Sequence, residues 1–153
     1  MAKKIPLTQG KSAIVDDDDF DFLMQWKWYF NGKYAVRGVN TGKTGKKIWM
    51  HRVIAKTPDG MDTDHVNRDR LDNRKANLRH ATPSQNSCNR RGFSKLGNPK
   101  GVVWSKDHGT WRVKIKVEGR EIHIGYFDSP DEAATAYDKA ARQHHKEFAL
   151  TNS

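Results

Sequence analysis

The chain has 153 residues, 30% of them charged and 35% hydrophobic, with a mean hydropathy of -0.92. That polarity excludes one large apolar core and leaves small modules with modest ones, while five Trp, four Tyr and six Phe exclude a disordered chain. A formal net charge of +10 and a pI near 9.8 point to a polyanionic partner, nucleic acid before an anionic membrane. The longest apolar runs, such as Val53-Ile54-Ala55, fall far short of the roughly 20 residues of a bilayer span. The first residues lack the apolar stretch of a secretion signal. A single cysteine, Cys88, excludes an internal disulfide and a thiolate zinc cluster. The expectation is a cytoplasmic, nucleic-acid-associated protein with no membrane contact and no obligate protein partner.

In chain order, Ala13-Ile14-Val15 reads as a strand. Asp16 to Asp19 then precede Phe20, Phe22, Leu23 and Trp26, which suits a helix N-terminus better than a metal site. Trp28-Tyr29-Phe30 and Tyr34-Ala35-Val36-Arg37 flank Asn31-Gly32, a strong hairpin signal. A second ribbon is expected from Arg37 to Trp49 around a basic loop that either grips a phosphate backbone or is a solvated turn. Met50 to Ala55 reads as a short helix.

The next stretch carries chemistry. It contains Asp64-His65, Leu71-Asp72-Asn73-Arg74, Asn77-Leu78-Arg79 and Thr82-Pro83-Ser84-Gln85-Asn86, preceded by His51-Arg52. These elements, in this order and spacing, resemble the HNH nucleases, in particular their phage homing-endonuclease branch, over residues 50 to about 90. The resemblance implies a β-hairpin followed by a helix around one divalent cation. Independently, Thr82, Pro83 and Gln85 form a capping box that would start a helix and place Asn86 one turn in. His65 is the candidate general base, since imidazole titrates at about pH 6.5. Asp64 and Asn86 offer hard oxygen donors suited to Mg²⁺ or Mn²⁺ rather than zinc. By resemblance, Asn77 is the middle Asn of the motif, orienting His65 or pinning the hairpin, and Asn86 is the terminal metal ligand. His51 is expected to support the motif, His80 to pack, and Cys88 to be buried.

Residues 90–102 carry Arg90, Arg91, Lys95 and Lys100 with no acid, amid Gly, Ser, Asn and Pro. This reads as a basic linker able to lie along phosphates. Three strand signals follow. Along the middle one, Trp111, Val113, Ile115 and Val117 alternate with Arg112, Lys114 and Lys116, and the third sets Ile122 and Ile124 opposite Glu121 and His123. Ser129-Pro130-Asp131-Glu132 caps a helix running to about Lys146, whose sheet-facing side is expected to hold Ala133, Ala136, Tyr137, Ala140, Ala141 and His144.

Lys-Gly-Val at 100–102, Trp-Arg-Val-Lys-Ile at 111–115, Ile-Gly-Tyr-Phe-Asp at 124–128 and the closing Phe148-Ala149-x-x-Asn152 make this segment similar to the Apetala and ethylene-response-factor DNA-binding domain. The resemblance implies a sheet in the DNA major groove, with Lys100, Arg112, Lys114, Lys116 and His123 on the contacting face. Val103, Ser105 and Glu121 stand where that family usually has arginines, and His123 where it has Trp.

The sequence thus predicts an α+β chain in four parts: a β-rich module at 1–49, an HNH ββα-metal module at 50–90, a basic linker at 91–99 and an ethylene-response-factor-like domain at 100–153. The implied function is a divalent-metal-dependent endonuclease of homing type acting on double-stranded DNA in the cytoplasm of a bacterium or phage-infected host. The rival is a non-catalytic DNA-binding regulator with a retired nuclease module.

Overall fold

The computed structural model describes residues 1–40, 42, 44–89 and 97–152. Among these residues it is a mixed helix-and-sheet chain with small antiparallel sheets and four helices, and it divides into two compact units, Met1–Thr82 and Pro83–Ser153.

In the first unit, β1 (Ala2–Pro6) pairs with β2 (Ser12–Asp16), as the Ala13-Ile14-Val15 signal requires. Helix α1 (Asp17–Leu23) follows. Its acidic start is real, with Asp17, Asp18 and Asp19 in the first turn, where they complement the helix dipole. The N-cap residue Asp16, however, caps nothing with its side chain. Its carboxylate accepts instead from the Lys75 backbone N–H at 2.8 Å, Asp19 pairs with Lys75 at 2.9 Å, and Asp17 pairs with Lys3. The acidic run therefore ties the helix to distant chain as well as starting it.

Strands β3 (Tyr29–Phe30), β4 (Ala35–Val39) and β5 (Lys46–Trp49) form a sheet in that order. The predicted turn lies between β3 and β4, with Gly32 at a φ of 92° and the Asn31 side-chain oxygen accepting from the N–H groups of Lys33 and Tyr34. Helix α2 covers Met50–Ala55 as expected and ends on Lys56 in the left-handed region. The hairpin of β6 (Asp62–His65) and β7 (Leu78–Ala81) closes the unit, with a 3-10 turn at Lys75–Asn77. Ile5, Ala13, Val15, Leu23, Trp28, Ala35, Met50 and Ile54 make one core, onto which Leu71 and Leu78 of the hairpin pack. A parallel bridge between Ile14 and Asp72, with Ile14 N–H on Leu71 O and Asn73 N–H on Ile14 O, each at 2.7 Å, fastens the hairpin loop to β2. His80, expected to pack, is exposed and donates through Nε2 to Ala55 O at 2.7 Å. It satisfies a carbonyl at the end of α2 that the helix leaves open.

The second unit begins with α3 (Pro83–Cys88), opening at the predicted proline. Strands β8 (Val102–Ser105), β9 (Thr110–Val117) and β10 (Arg120–Phe127) form an antiparallel sheet in the order β10-β9-β8. Helix α4 (Pro130–His145) packs on it, started by Ser129, whose Oγ accepts from Glu132 N–H. Val102, Val113 and Ile115 of the sheet meet Ala133, Tyr137, Ala140 and Ala141 of the helix.

Two expectations need correction here. The inward residue near the helix end is His145, half-buried, while His144 is exposed, because the i+4 stripe from Ala133 through Tyr137 and Ala141 lands on 145. In β10 the alternation does not run through. Ile124 is the extra residue of a bulge between His123 and Gly125. Beyond it Tyr126 stands opposite Arg112, on the basic face, and Phe127 opposite Trp111, on the core face.

Candidate active site

Strand β6 delivers Asp64 and His65 as its last residues, both only 5% exposed. The long polar loop between β6 and β7 is held by its own side chains. Asp72 accepts from Arg74 at 2.6 and 2.8 Å and from Asn67 at 2.9 Å. The Arg74 guanidinium accordingly holds the Asp72 carboxyl below its ordinary pKa. Asn77 pins the hairpin. Its Oδ1 accepts from Asn67 N–H at 2.9 Å, its Nδ2 donates to Asp72 O at 2.7 Å, and its backbone O accepts from Val66 N–H.

The residue that orients His65 is Asn73, 1% exposed, whose Oδ1 lies 2.9 Å from His65 Nε2. An amide oxygen only accepts, so Nε2 carries the proton and Nδ1 is the basic nitrogen. Asn73 belongs to the Leu-Asp-Asn-Arg motif, but no sequence signal marks its contact with a partner eight residues away. Burial lowers the His65 pKa, partly opposed by the bond to Asn73, and so favours the neutral imidazole.

His51, buried on α2, packs its ring 5.2 Å from His65 and 4.8 Å from Tyr34. Burial, then the proximity of His65 and Arg52, pushes the His51 pKa down to about 3. His51 therefore supports the site as a neutral ring, and its Nδ1 is buried without a hydrogen-bond partner among the described residues. Asp64 is engaged by Arg79, whose Nε and Nη2 reach Oδ2 at 2.8 and 2.7 Å. Asn86 lies half-buried in α3, in the second unit.

Residues 49–88, which include the hairpin whose first strand ends in the buried Asp-His pair and the loop stitched by Asn and Asp side chains, match the HNH endonuclease family. The chain carries an HNH endonuclease domain. It is similar to an uncharacterized HNH endonuclease of Acanthamoeba polyphaga mimivirus, 28% identical over 146 residues that span 94% of this chain and 76% of that one. It is also 32% identical to Protein 3.8 of Escherichia phage T7 over 93 residues, 60% of this chain and 76% of the phage protein. A 31-residue stretch, 20% of the chain and 14% of the relative, is 55% identical to an ethylene-responsive transcription factor-like protein of Arabidopsis thaliana.

Beyond the HNH domain, the basic residues singled out for DNA contact have different fates. Arg112, Lys114 and Lys116 lie on the sheet face away from the core residues Val113 and Ile115, with His123 opposite Lys114 on the same face. Lys114 Nζ is bound by both Glu121 carboxylate oxygens, at 2.9 and 3.0 Å, so part of its charge is answered within the sheet. Tyr126 joins this face through the bulge, with its ring 4.5 Å from His108 and 4.7 Å from His123. Lys100 turns inward. Its ammonium donates to Cys88 O at 2.7 Å, and burial lowers its pKa. Arg90, Arg91 and Lys95 lie outside the described residues. Cys88 is buried as expected, with Sγ 3.2 Å from His145 Nδ1, and burial pushes its thiol pKa up, the reverse of a reactive cysteine. Among the described residues no group of three His, Cys, Asp or Glu gathers in metal-binding geometry, and no helix is long and apolar enough to cross a membrane.

Proposed function

We propose that the chain is a site-specific endonuclease of homing type that hydrolyses phosphodiester bonds in double-stranded DNA with a divalent cation. The observation that carries this reading is the His65–Asn73 hydrogen bond within a hairpin that matches HNH endonucleases. The bond to Asn73 engages Nε2, burial favours the neutral ring, and Nδ1 is the nitrogen assigned as the base. His65 takes a proton from water as that water attacks phosphorus in line. The P–O bond to the leaving oxygen breaks, and its electron pair stays on that oxygen.

Asp64 and Asn86 are the side chains that would hold the cation. Both donors are hard oxygens, and one carboxylate completed by neutral and substrate oxygens fits Mg²⁺, with Mn²⁺ as a substitute, better than a soft metal. When bound, the cation would act as a Lewis acid on the phosphate. Asn77 keeps the hairpin that carries Asp64 and His65 in register. Nicking of supercoiled plasmid should appear with Mg²⁺ or Mn²⁺ and vanish in excess EDTA. Undiminished cutting in chelator would remove the metal from the mechanism.

The C-terminal unit serves as the DNA reader, its ethylene-response-factor-like sheet presenting Arg112, Lys114, Lys116 and His123 to the major groove. With Lys114 shared with Glu121, the two basic residues expected to contribute most are Arg112 and Lys116. Changing both to Ala should reduce the slope of log K against log salt by about 1.8, at about 0.9 for each lost phosphate contact. Adding Lys114→Ala should reduce it by less than another 0.9. Isotherms measured on duplex DNA across a salt series check this, and an unaltered slope would make the face a solvated surface. The reading places the protein in the cytoplasm of a bacterium or phage-infected cell, where such DNA is found.

A further inference from the structure

We propose that Arg70 is a phosphate-binding residue of the nuclease site, holding an oxygen of the cleaved strand beside His65. The proposal rests on the nuclease reading above. Within the HNH hairpin and the helix before it, most cations are already used. Arg74 serves Asp72, Lys75 serves Asp19, Arg79 serves Asp64, and Arg52 donates to the carbonyls of Met61 and Pro58. Arg68 and Arg70 of the loop are both exposed and, among the described residues, make no ion pair. Of the two, Arg70 is the one set over an aromatic ring. Its guanidinium carbon lies 5.4 Å from the centroid of the Tyr34 ring. That ring lies 6.2 Å from the His65 ring, stacked at 30°, and 4.8 Å from His51.

The geometry suits a phosphate in two ways. A guanidinium near an aromatic face is attracted to it by a cation–π interaction that uses none of its five N–H donors, which remain available for a bidentate contact with phosphate oxygens. Tyr34 in turn packs on the buried His51–His65 pair, so Arg70 stands one ring away from the candidate base. A cation so placed would sit where charge builds up on a phosphoryl group under attack.

The test compares full-length wild type with Arg70→Ala, Arg70→Lys and Tyr34→Leu, after melting curves have shown each variant folded. Two quantities are read: the single-turnover plateau rate on duplex DNA with Mg²⁺, and the salt slope of duplex affinity in EDTA. Arg70→Ala should lower the plateau by about 10²-fold and the slope by about 0.9. Arg70→Lys should keep the slope but recover the plateau only in part, because a point charge replaces a planar fork. Tyr34→Leu should lower the plateau in wild type and add little on top of Arg70→Ala. An unchanged slope in Arg70→Ala would overturn the contact. A reduced slope with a wild-type plateau would overturn its placement beside His65. Were the wild-type protein unable to cut, the nuclease reading would fail by itself, and the slope would still decide whether Arg70 binds phosphate.

Discussion

His65→Ala should abolish cleavage while leaving duplex affinity within a few-fold of wild type. Proton transfer by a positioned imidazole accounts for roughly 10²–10⁴ in rate, and at His65 the loss should lie at the upper end, because the neighbouring imidazole of His51, its pKa pushed down to about 3, is a weak base. Tyr34 and His51 stay in place to fill the space against the remaining methyl group. Asn77, Asp72 and Arg74 keep the loop stitched without any contribution from the imidazole. The fold should therefore survive. Single-turnover cleavage and equilibrium binding on the same duplex are the two measurements. A variant retaining a tenth of the wild-type rate would exclude His65 as the base. Asn73→Ala should give a smaller defect of the same kind, since the base is kept and only its tautomer is released.

Gly101→Ala should have the largest effect on stability. Gly101 has a φ of +74°, where an L side chain is strained, and a Cβ there would come within 2.2 Å of the Tyr137 ring and 2.7 Å of the Lys114 carbonyl oxygen. Neither obstacle can yield easily. Tyr137 is the largest buried side chain of the helix–sheet core, and the Lys114 carbonyl is backbone in the central strand β9. Overpacking of this kind together with the left-handed backbone should cost about 3 kcal/mol or more. The neighbouring closure would open as well. Asn152 accepts from Lys100 N–H at 2.7 Å and donates through its own N–H to the buried Asp138 at 2.6 Å, clipping the chain end to the start of the sheet unit and to α4. Hydrogen exchange of β9 and α4 in the full-length variant should lose its protection, while β4 and α2 in the first unit keep theirs. Native protection in β9 would mean that Tyr137 can move aside.

The local signals in the sequence translated well. The Asn31-Gly32 turn, the Met50–Ala55 helix, the Pro83 helix start and the Ser129-Pro130 cap are each set by residues within a few positions of one another, and each stands where it was expected. What was not legible depends on partners far along the chain. Asp16 follows the N-cap pattern, yet its carboxylate goes to Lys75, 59 residues away. Lys100 is basic and sits in a basic stretch, yet its ammonium serves the Cys88 carbonyl. The bulge at Ile124 leaves no mark on a pattern that alternates by twos, but it decides that Tyr126 joins Arg112 rather than the core. In the candidate site, Asp64, His65 and Asn77 stand out in the sequence because a motif fixes their spacing. The contacts of Asn73 and Arg70 do not, because they depend on which ring each one meets: His65 for Asn73, Tyr34 for Arg70.

The central claim is that the HNH domain of this chain breaks phosphodiester bonds in duplex DNA using His65. Its most direct test is to incubate long duplex DNA with purified wild type and with His65→Ala, in Mg²⁺ and in EDTA, and to sequence every new end. Wild type in Mg²⁺ should produce ends at a small set of recurring positions, absent in EDTA and absent with His65→Ala. No new ends from wild type in Mg²⁺, or the same ends at comparable yield from His65→Ala, would contradict it.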